Sequence, residues 1–202
     1  MDPKIDLNRN LEGCNFAGMD LSDAKLMGAN LLGANLYGAN LAGANLTAVI
    51  LSDANLTGAN LSGANLSCAE LDSANMTRAD LRNANLANAD LLGVNLSGAN
   101  LTGANLYGAH IGCAELMGAN LTHANLACAD LEDSDLTGAN LYGANLTEAS
   151  LGSADLEGAN MYGVNLTGAT MFGGQDMKVV NLSGANLNGV LGWDTVTGPP
   201  DL

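Results

Sequence analysis

The side chains that most often carry out chemistry are few in this sequence, and their spacing matches no common catalytic or metal site. The two histidines, His110 and His123, have no carboxylate or thiol near them at the spacing of metal ligands. Serine and threonine are frequent, but a nucleophile needs a positioned base, and the sequence offers none. The sequence therefore predicts no catalytic residue, no metal site, no cofactor and no enzymatic activity.

The cysteines also match no reactive pattern. Successive cysteines lie 54, 45 and 15 residues apart, whereas zinc and redox motifs place two cysteines within a few residues of each other. Because thiols stay reduced in the cytosol, we interpret them as small buried or surface side chains rather than as disulfides. They are Cys14, Cys68, Cys113 and Cys128.

Acidic side chains are the most distinctive chemical feature of the chain. There are 21 Asp and Glu against 6 Lys and Arg, which gives a formal net charge of −15. Nucleic acids and anionic membranes are also negative, so the charge argues against both as direct partners and leaves basic protein surfaces open. Residues 1–6 contain no apolar signal region, and no apolar stretch is long enough to span a membrane. We expect a soluble, cytoplasmic protein.

The elements that position these side chains repeat with a period of five. Every fifth residue from Leu11 to Met171 is large and apolar, and 28 of these 33 centres are Leu. Two residues before the centre, 26 of the 30 positions from Ala24 to Ala169 are Ala. Asn or Asp precedes 26 of the 33 centres, and Gly occupies the second position after 19 of them. Such self-similarity indicates a repeat architecture.

A period of five fits neither a helix nor a continuous strand. On a helix, centres five residues apart advance by roughly 140° and scatter around the surface. In a strand, an odd period would alternate the centres between the two faces. The chain must therefore turn once per repeat, with Ala and Leu inward and the polar, Gly-rich remainder at the corner. Repeated turns give a coil whose successive layers pair through the backbone, while the number of sides stays open.

The pattern A(N/D)LXX, as in residues 29–33 and 59–63, resembles the pentapeptide-repeat family, and the resemblance covers roughly residues 11–190. It implies an all-β fold, a right-handed quadrilateral parallel β-helix of about eight to nine coils, each of four repeats or roughly 20 residues. The family is especially abundant in cyanobacteria. We expect an N-terminal cap at residues 1–10, the β-helix at 11–190, and a C-terminal cap or tail at 191–202. Asn before each centre is expected to form side-chain ladders between coils.

A coil of 20 residues would sort the acidic residues by face. We assign the centres Leu11, Leu31, Leu51 and so on to face one, and the following centres in turn to faces two, three and four. The 16 acids of the repeat then divide 8, 4, 3 and 1, and face one carries no Lys or Arg. Besides Glu12, face one carries the residues that we identify as a candidate protein-binding surface: Asp53, Glu70, Asp72, Asp90, Asp130, Glu132 and Asp133.

The repeat breaks at two places near its end. Between Met171 and Met177 the spacing becomes six, which we interpret as a one-residue bulge beside two glycines. Solenoid ends expose core residues and unpaired edges, so they need caps. We expect Val190, Leu191 and Trp193 to fold over the C-terminal end, with Trp193 largely buried. The apolar residues available at the other end are Ile5, Leu7, Leu11 and Phe16.

Two functions are compatible with these features. The first is a non-enzymatic structural or protein-interaction rod that binds a protein and is a monomer or an end-to-end dimer. The alternative is an acidic DNA mimic, because the chain is similar to fluoroquinolone-resistance members of the family, which protect type II topoisomerases. Those proteins favour Phe at many centres and dimerise through a C-terminal helix. Here Phe16 is the only Phe centre, and the chain after Trp193 is too short for such a helix.

Overall fold

The computed structural model describes residues 10–173 and 178–197, which stack as successive coils. Each ladder residue, meaning the residue just before a centre, pairs in parallel with the ladder residue 20 positions later, from Asn10 with Asn30 to Ser150 with Thr170. Four five-residue repeats therefore complete one coil, and the assignment of residues to four faces is confirmed. Other regular elements in the described residues are strand β1, Phe172–Gly173, strand β2, Lys178–Val179, and a 3-10 turn at Trp193–Thr195.

Each repeat contains one tight turn. In a representative repeat, the N–H of Ala34 donates to the carbonyl of Leu31 at 3.0 Å. Gly33, the second turn residue, has φ of +61°, while Leu32 does not have a positive φ. A positive φ at the third of the four residues defines a type II turn, which favours glycine at that position. The Gly-rich corners predicted from the sequence are therefore confirmed.

Backbone hydrogen bonds join each coil to the next. The N–H of Leu31 donates to the carbonyl of Ile50 at 2.8 Å, and the N–H of Gly33 donates to the carbonyl of Ser52 at 2.9 Å. From the coil on the other side, the carbonyl of Cys14 accepts a hydrogen bond from the N–H of Asn35 at 2.9 Å. Most backbone polar groups of an interior coil are thus paired with the two neighbouring coils, which is what their burial requires.

The core is a column of centres and inner alanines. Leu96 and Leu116 are no more than 1% exposed, and the centres Met76 and Ile111 are fully buried. Full burial of one such side chain stabilises the fold by roughly 1.5–3 kcal/mol relative to exposure. The free energy of burial, repeated at every centre, offsets the conformational entropy that a Gly-rich chain loses on folding.

The ladder residues form side-chain columns between coils. On face four, the Nδ2 atoms of Asn85, Asn105 and Asn125 each donate to the Oδ1 atom of the Asn 20 residues earlier, at 2.9–3.0 Å. The same Oδ1 atoms accept hydrogen bonds from the backbone two residues later, as from Ala87 to Asn85 at 3.3 Å. The predicted Asn ladders are confirmed, and they give Asn a structural role at the corner.

The predicted one-residue bulge is wrong. After it, the ladder pairing shifts from 20 to 26 residues, with Asp155 opposite Asn181, so six residues are inserted. The N–H of Val180 donates to the carbonyl of Met171 at 3.0 Å, as Ala34 does to Leu31. The segment 172–179 thus stands where other repeats have two turn residues, and β1 and β2 pair within it as an antiparallel hairpin. Met177, which the spacing suggests as a centre, lies outside the described residues.

The stack continues through the C-terminal segment. Leu191 pairs with Asn165, and Thr197 pairs with Thr170, on either side of the 3-10 turn. Trp193 is partly buried and, like Val190, packs against the core. Leu191 is 59% exposed, so its predicted place over the end is wrong. The reason is that Leu191 occupies a ladder position, whose side chain points outward.

At the N-terminal end, Leu11 and Phe16 are buried. Ile5 and Leu7 lie outside the described residues, as do the other residues of 1–9 and those of 198–202. The proposed boundaries of the two caps stay predictions.

Candidate functional site

Face one brings the predicted acidic residues into two groups. Glu70, Asp90 and Asp130 occupy ladder positions of one column, and Glu70 pairs directly with Asp90. Asp72 comes directly after the centre Leu71, and its Oδ1 atom accepts a hydrogen bond from Oγ of Ser52. The first group is therefore Asp53, Glu70, Asp72 and Asp90, and the second group, two coils further on, is Asp130, Glu132 and Asp133.

His110 lies between the two groups in the same column. Its Nδ1 atom is 3.3 Å from Oδ1 of Asp90, and its Nε2 atom is 3.2 Å from Oδ2 of Asp130. The expectation that neither histidine lies near a carboxylate is therefore wrong for His110, because the 20-residue coil brings positions 90, 110 and 130 together. A neutral imidazole donates from one nitrogen only, so only the protonated ring can donate to both carboxylates.

A surface cavity of about 310 Å³ opens beside this column. The first turn position is the residue directly after a centre. Gly112 occupies this position in its coil, whereas the two neighbouring coils carry Leu92 and Glu132 there. Gly112 is itself buried, and the Leu92 Cδ1, Glu132 carbonyl oxygen and His110 Nε2 atoms lie 3.5–3.7 Å from the place that a Cβ atom would take. The absence of a larger side chain there leaves room at the surface. The residues that line the cavity are Leu92, His110, Gly112, Cys113, Asp130, Glu132 and Asp133.

Hydrogen bonds fix the carboxylates around the cavity. Oδ1 of Asp130 accepts the backbone N–H of Glu132 at 3.0 Å. Oε1 of Glu132 accepts a hydrogen bond from Oγ of Ser150 at 2.6 Å. Oδ1 of Asp90 accepts the backbone N–H of Leu92 at 3.2 Å. These bonds hold the acidic side chains in defined orientations.

The hairpin packs on face one next to the cavity. Oγ of Ser153 donates to the carbonyl of Gly173 at 2.7 Å. A Cβ atom on Gly152 would lie 2.6 Å from backbone atoms of Gly173, so this contact requires glycine. A Cβ atom on Gly173 would approach Oε1 of Glu132 to 3.2 Å. The hairpin therefore borders the side of the cavity that Glu132 forms.

Other ionisable groups form contacts on faces three and four. On face three, a bidentate hydrogen bond from Arg82 holds the pKa of Asp80 below its ordinary value, and the contact raises the pKa of Arg82. On face four, a hydrogen bond with the Cys128 thiol is the main cause that raises the pKa of Tyr107. These contacts are exposed and lie away from the cavity.

Exposed aromatic residues gather on face three. The rings of Tyr142 and Tyr162 stack with centroids 5.5 Å apart, and His123 meets Tyr142 edge to face at 5.4 Å. His123 is a second turn residue with φ of +56°, and its side chain is exposed at the corner. Tyr37 and Tyr107 are also exposed but lie on faces two and four.

Within residues 10–173 and 178–197, no group of three or more His, Cys, Asp or Glu side chains is arranged to hold a metal ion. None of the four cysteines, all of which lie in this part of the chain, forms a disulfide. No helix in the described part of the chain is long and apolar enough to cross a membrane.

The stacked coils of five-residue repeats define this protein as a solenoid. A comparison with models of known families identifies the kind of repeat. A model of pentapeptide repeats matches eight copies along the chain, at residues 10–43, 39–78, 79–111, 114–152 and 144–189. The chain belongs to the pentapeptide repeat family. A comparison with curated protein sequences finds no match.

Solved structures of pentapeptide repeat proteins are similar to this chain. HetL, which is involved in heterocyst differentiation regulation in the cyanobacterium Nostoc, is 32% identical over 94% of this chain and 89% of its own, with a TM-score of 0.44. Rfr23 from the cyanobacterium Cyanothece is 40% identical over 51% of this chain and 63% of its own, with a TM-score of 0.37. Trypsin-treated QnrB1, a plasmid-mediated fluoroquinolone resistance protein, is 20% identical over 92% and 91%, and its TM-score of 0.53 shows a shared fold.

Proposed function

We propose that this protein is a non-enzymatic interaction rod that binds a basic protein surface through face one. The observation that carries the proposal is the distribution of charge: face one holds eight acids and no Lys or Arg, whereas face four holds Glu148 as its only acid. A strip of one sign steers an oppositely charged partner and selects its orientation. We infer that the rod is a right-handed quadrilateral β-helix of about eight to nine coils, whose stiffness keeps this strip straight.

The test compares two variants that lose the same charge on different faces. The face-one variant replaces Asp53, Asp72, Asp90 and Asp133 with Asn. The face-two variant replaces Glu115 and Glu157 with Gln, and Asp135 and Asp155 with Asn. Each variant removes four negative charges, so any difference between them depends on location.

We expect the wild type and the face-two variant to capture the same proteins from a lysate, and the face-one variant to lose them. Capture by wild type should weaken as salt rises, because exposed charges are screened. Equal loss in both variants would indicate attraction by net charge alone. Undiminished capture by the face-one variant would contradict the proposal.

DNA mimicry is the second candidate, and the mean charge density along face one favours it. The eight face-one acids span six coil steps, or about 29 Å at ~4.8 Å per step, which gives a mean spacing of about 4.1 Å between charges. One DNA strand carries one charge per about 3.4 Å. If this match is functional, the purified protein should inhibit or protect DNA gyrase, and replacing Asp53, Glu70, Asp72 and Asp90 with amides should abolish the effect. Unchanged supercoiling in the presence of wild type would remove this candidate.

We propose a cytoplasmic location and a monomer or an end-to-end dimer. Cys68, Cys113 and Cys128 are exposed at corners of the coil, and exposed thiols are typical of a reducing compartment. Light scattering measures the oligomeric state directly.

A further inference from the structure

Gly112 is a glycine that neither the backbone nor the packing requires. Unlike Gly33 and the other second turn residues, it does not have a positive φ. A Cβ atom on Gly112 would lie 3.5 Å from the Glu132 carbonyl oxygen and from Cδ1 of Leu92, and 3.7 Å from Nε2 of His110, all ordinary contacts. Gly152, one coil beyond Glu132 in the same column, is by contrast fixed by its contact with Gly173. The cavity at Gly112 is therefore not a by-product of a sterically required glycine.

The walls of the cavity combine one apolar side chain with several carboxylates. Leu92 is 41% exposed, so its side chain offers an apolar surface at the edge of the cavity. Asp130, Glu132 and Asp133 line the opposite part. Long cationic side chains have this same division, with an aliphatic stem that packs on apolar surface and a charged head.

The size of the cavity limits what can enter it. A volume of about 310 Å³ is at the lower end of the range for small-molecule pockets. A helix is about 10–12 Å in diameter with its side chains, so it could rest on face one but could not enter the cavity. One long side chain fits.

We propose that this cavity receives the side chain of one arginine of the protein partner. The inference rests on the proposed function, because it names the group that face one receives. Arginine fits better than lysine because its planar guanidinium has five N–H donors, which can reach more than one of the surrounding carboxylates. The guanidinium is also more weakly hydrated than an ammonium group, so it loses less on entering a half-enclosed site.

The experiment uses the intact chain and N-acetyl-arginine methylamide as the probe, followed by NMR. We expect saturable shifts of the Leu92 methyl groups and the His110 imidazole, with the His123 imidazole on face three unchanged. The same titration with N-acetyl-lysine methylamide should show at least threefold weaker binding. Equal binding of the two probes would overturn the assignment to arginine.

Gly112→Leu should weaken arginine binding at least tenfold, because the new side chain fills the cavity while every carboxylate stays. Thr137→Leu, which adds the same side chain at a first turn position on face two, should leave binding unchanged. Gly112→Ala fills less of the cavity and should give an intermediate loss, so the comparison survives if the Leu variant folds poorly. Undiminished binding by Gly112→Leu, or no saturable shift in wild type, would overturn the proposal.

The outcome separates this inference from the proposed function. If the face-one charge variant loses its partner while Gly112→Leu keeps it at wild-type strength, the cavity is not the anchor but face one is the binding surface. If neither variant loses the partner, the proposed function itself fails.

Discussion

At the corners of the coil, the second turn residue has a positive φ even where it is not glycine. In the described part of the chain, fourteen non-glycine residues share this conformation, among them Arg78, Cys128 and Glu148. A left-handed conformation costs an ordinary L-residue roughly 1–2 kcal/mol. The fold carries this strain repeatedly, because the coil is held by hydrogen bonds above and below each corner.

The same chemical change should have opposite effects at two glycines. Gly58 has φ of +65°, and a Cβ atom added there would meet no atom within 4 Å, so Gly58→Ala is expected to destabilise the protein by about 1 kcal/mol through the backbone alone. Gly112→Ala should be neutral or stabilising by about 0.4–1 kcal/mol, because its φ suits alanine and the unfolded chain loses freedom. Urea denaturation measures both. A stabilised Gly58→Ala would contradict the turn geometry.

Adjacent residues should differ sharply in their tolerance of charge. Leu116 is fully buried, whereas Met117 is 46% exposed on face two. Leu116→Asp is expected to destabilise the protein by about 3–5 kcal/mol, because it leaves a charge unpaired in the core. Met117→Asp should change stability by less than about 0.5 kcal/mol. Thermal unfolding followed by circular dichroism distinguishes them, and equal melting temperatures would contradict the inward and outward assignment.

The sequence predicted which residues are buried but not what surrounds His110. Burial follows from a period of five that continues without exception, so each centre could be assigned from its position alone. The contacts of His110 depend on residues 20 positions away in both directions, and their importance is visible only when the coils are placed in register. Gly112 had a usable signal: among the glycines of the repeat, it and Gly152 are the two at a first turn position.

At the level of elements, the hairpin formed by β1 and β2 meets face one in a close contact within its described residues. Gly152 and Gly173 meet without room for a methyl group, and Ser153 adds one hydrogen bond. The coil that contains Asp155 does not need the hairpin for its hydrogen bonds to the next coil, because Asn181 pairs with Asp155 directly.

Gly152→Ala should therefore loosen the hairpin and leave the coils intact. We expect faster hydrogen exchange at the amide of Val180, whose bond to Met171 closes the hairpin, while the amide of Asn105 in an interior coil exchanges at its wild-type rate. Gly112→Ala is the control, because its new methyl group meets no atom closer than 3.5 Å. Unchanged exchange at Val180 would show that the contact does not hold the hairpin.

The hairpin also shows where a sequence pattern misleads. Met177 follows Met171 by six residues and precedes Leu182 by five, so it resembles a displaced centre. Gln175 stands where a repeat would place its inner Ala, and a polar residue there cannot fill the core position beside a centre. Weighing both inward positions, rather than the centre alone, would have predicted an insertion at this corner.

At the level of the whole molecule, the four sides differ in charge although they share one backbone. Face four has an uninterrupted Asn ladder from Asn65 to Asn145, while the same column of face one carries Glu70, Asp90, His110 and Asp130. The backbone hydrogen bonds between ladder residues form whatever side chain the ladder residue carries. The four sides can therefore differ in charge without affecting the core. They present different surfaces on one scaffold.

Removal of the C-terminal segment should change assembly more than folding. Deleting residues 190–202 takes away Leu191 and Thr197, whose backbones cover part of the preceding coil. Unpaired edges promote association with other edges, so we expect the truncated protein to self-associate while its β signal in circular dichroism persists. Light scattering on both proteins tests this. A dimeric wild type that becomes monomeric on truncation would indicate instead that the segment is a dimer contact.

The six residues added at one corner have a consequence for how such a molecule can grow. The pairing of Asp155 with Asn181 and of Asn160 with Asn186 shows that the coil resumes its register immediately after the insertion. A corner can thus accept inserted residues, which change the surface of one side only. The core pattern of one large apolar residue in every five continues unchanged on both sides of the insertion. The surface of such a molecule can therefore change by insertion while its core residues stay the same.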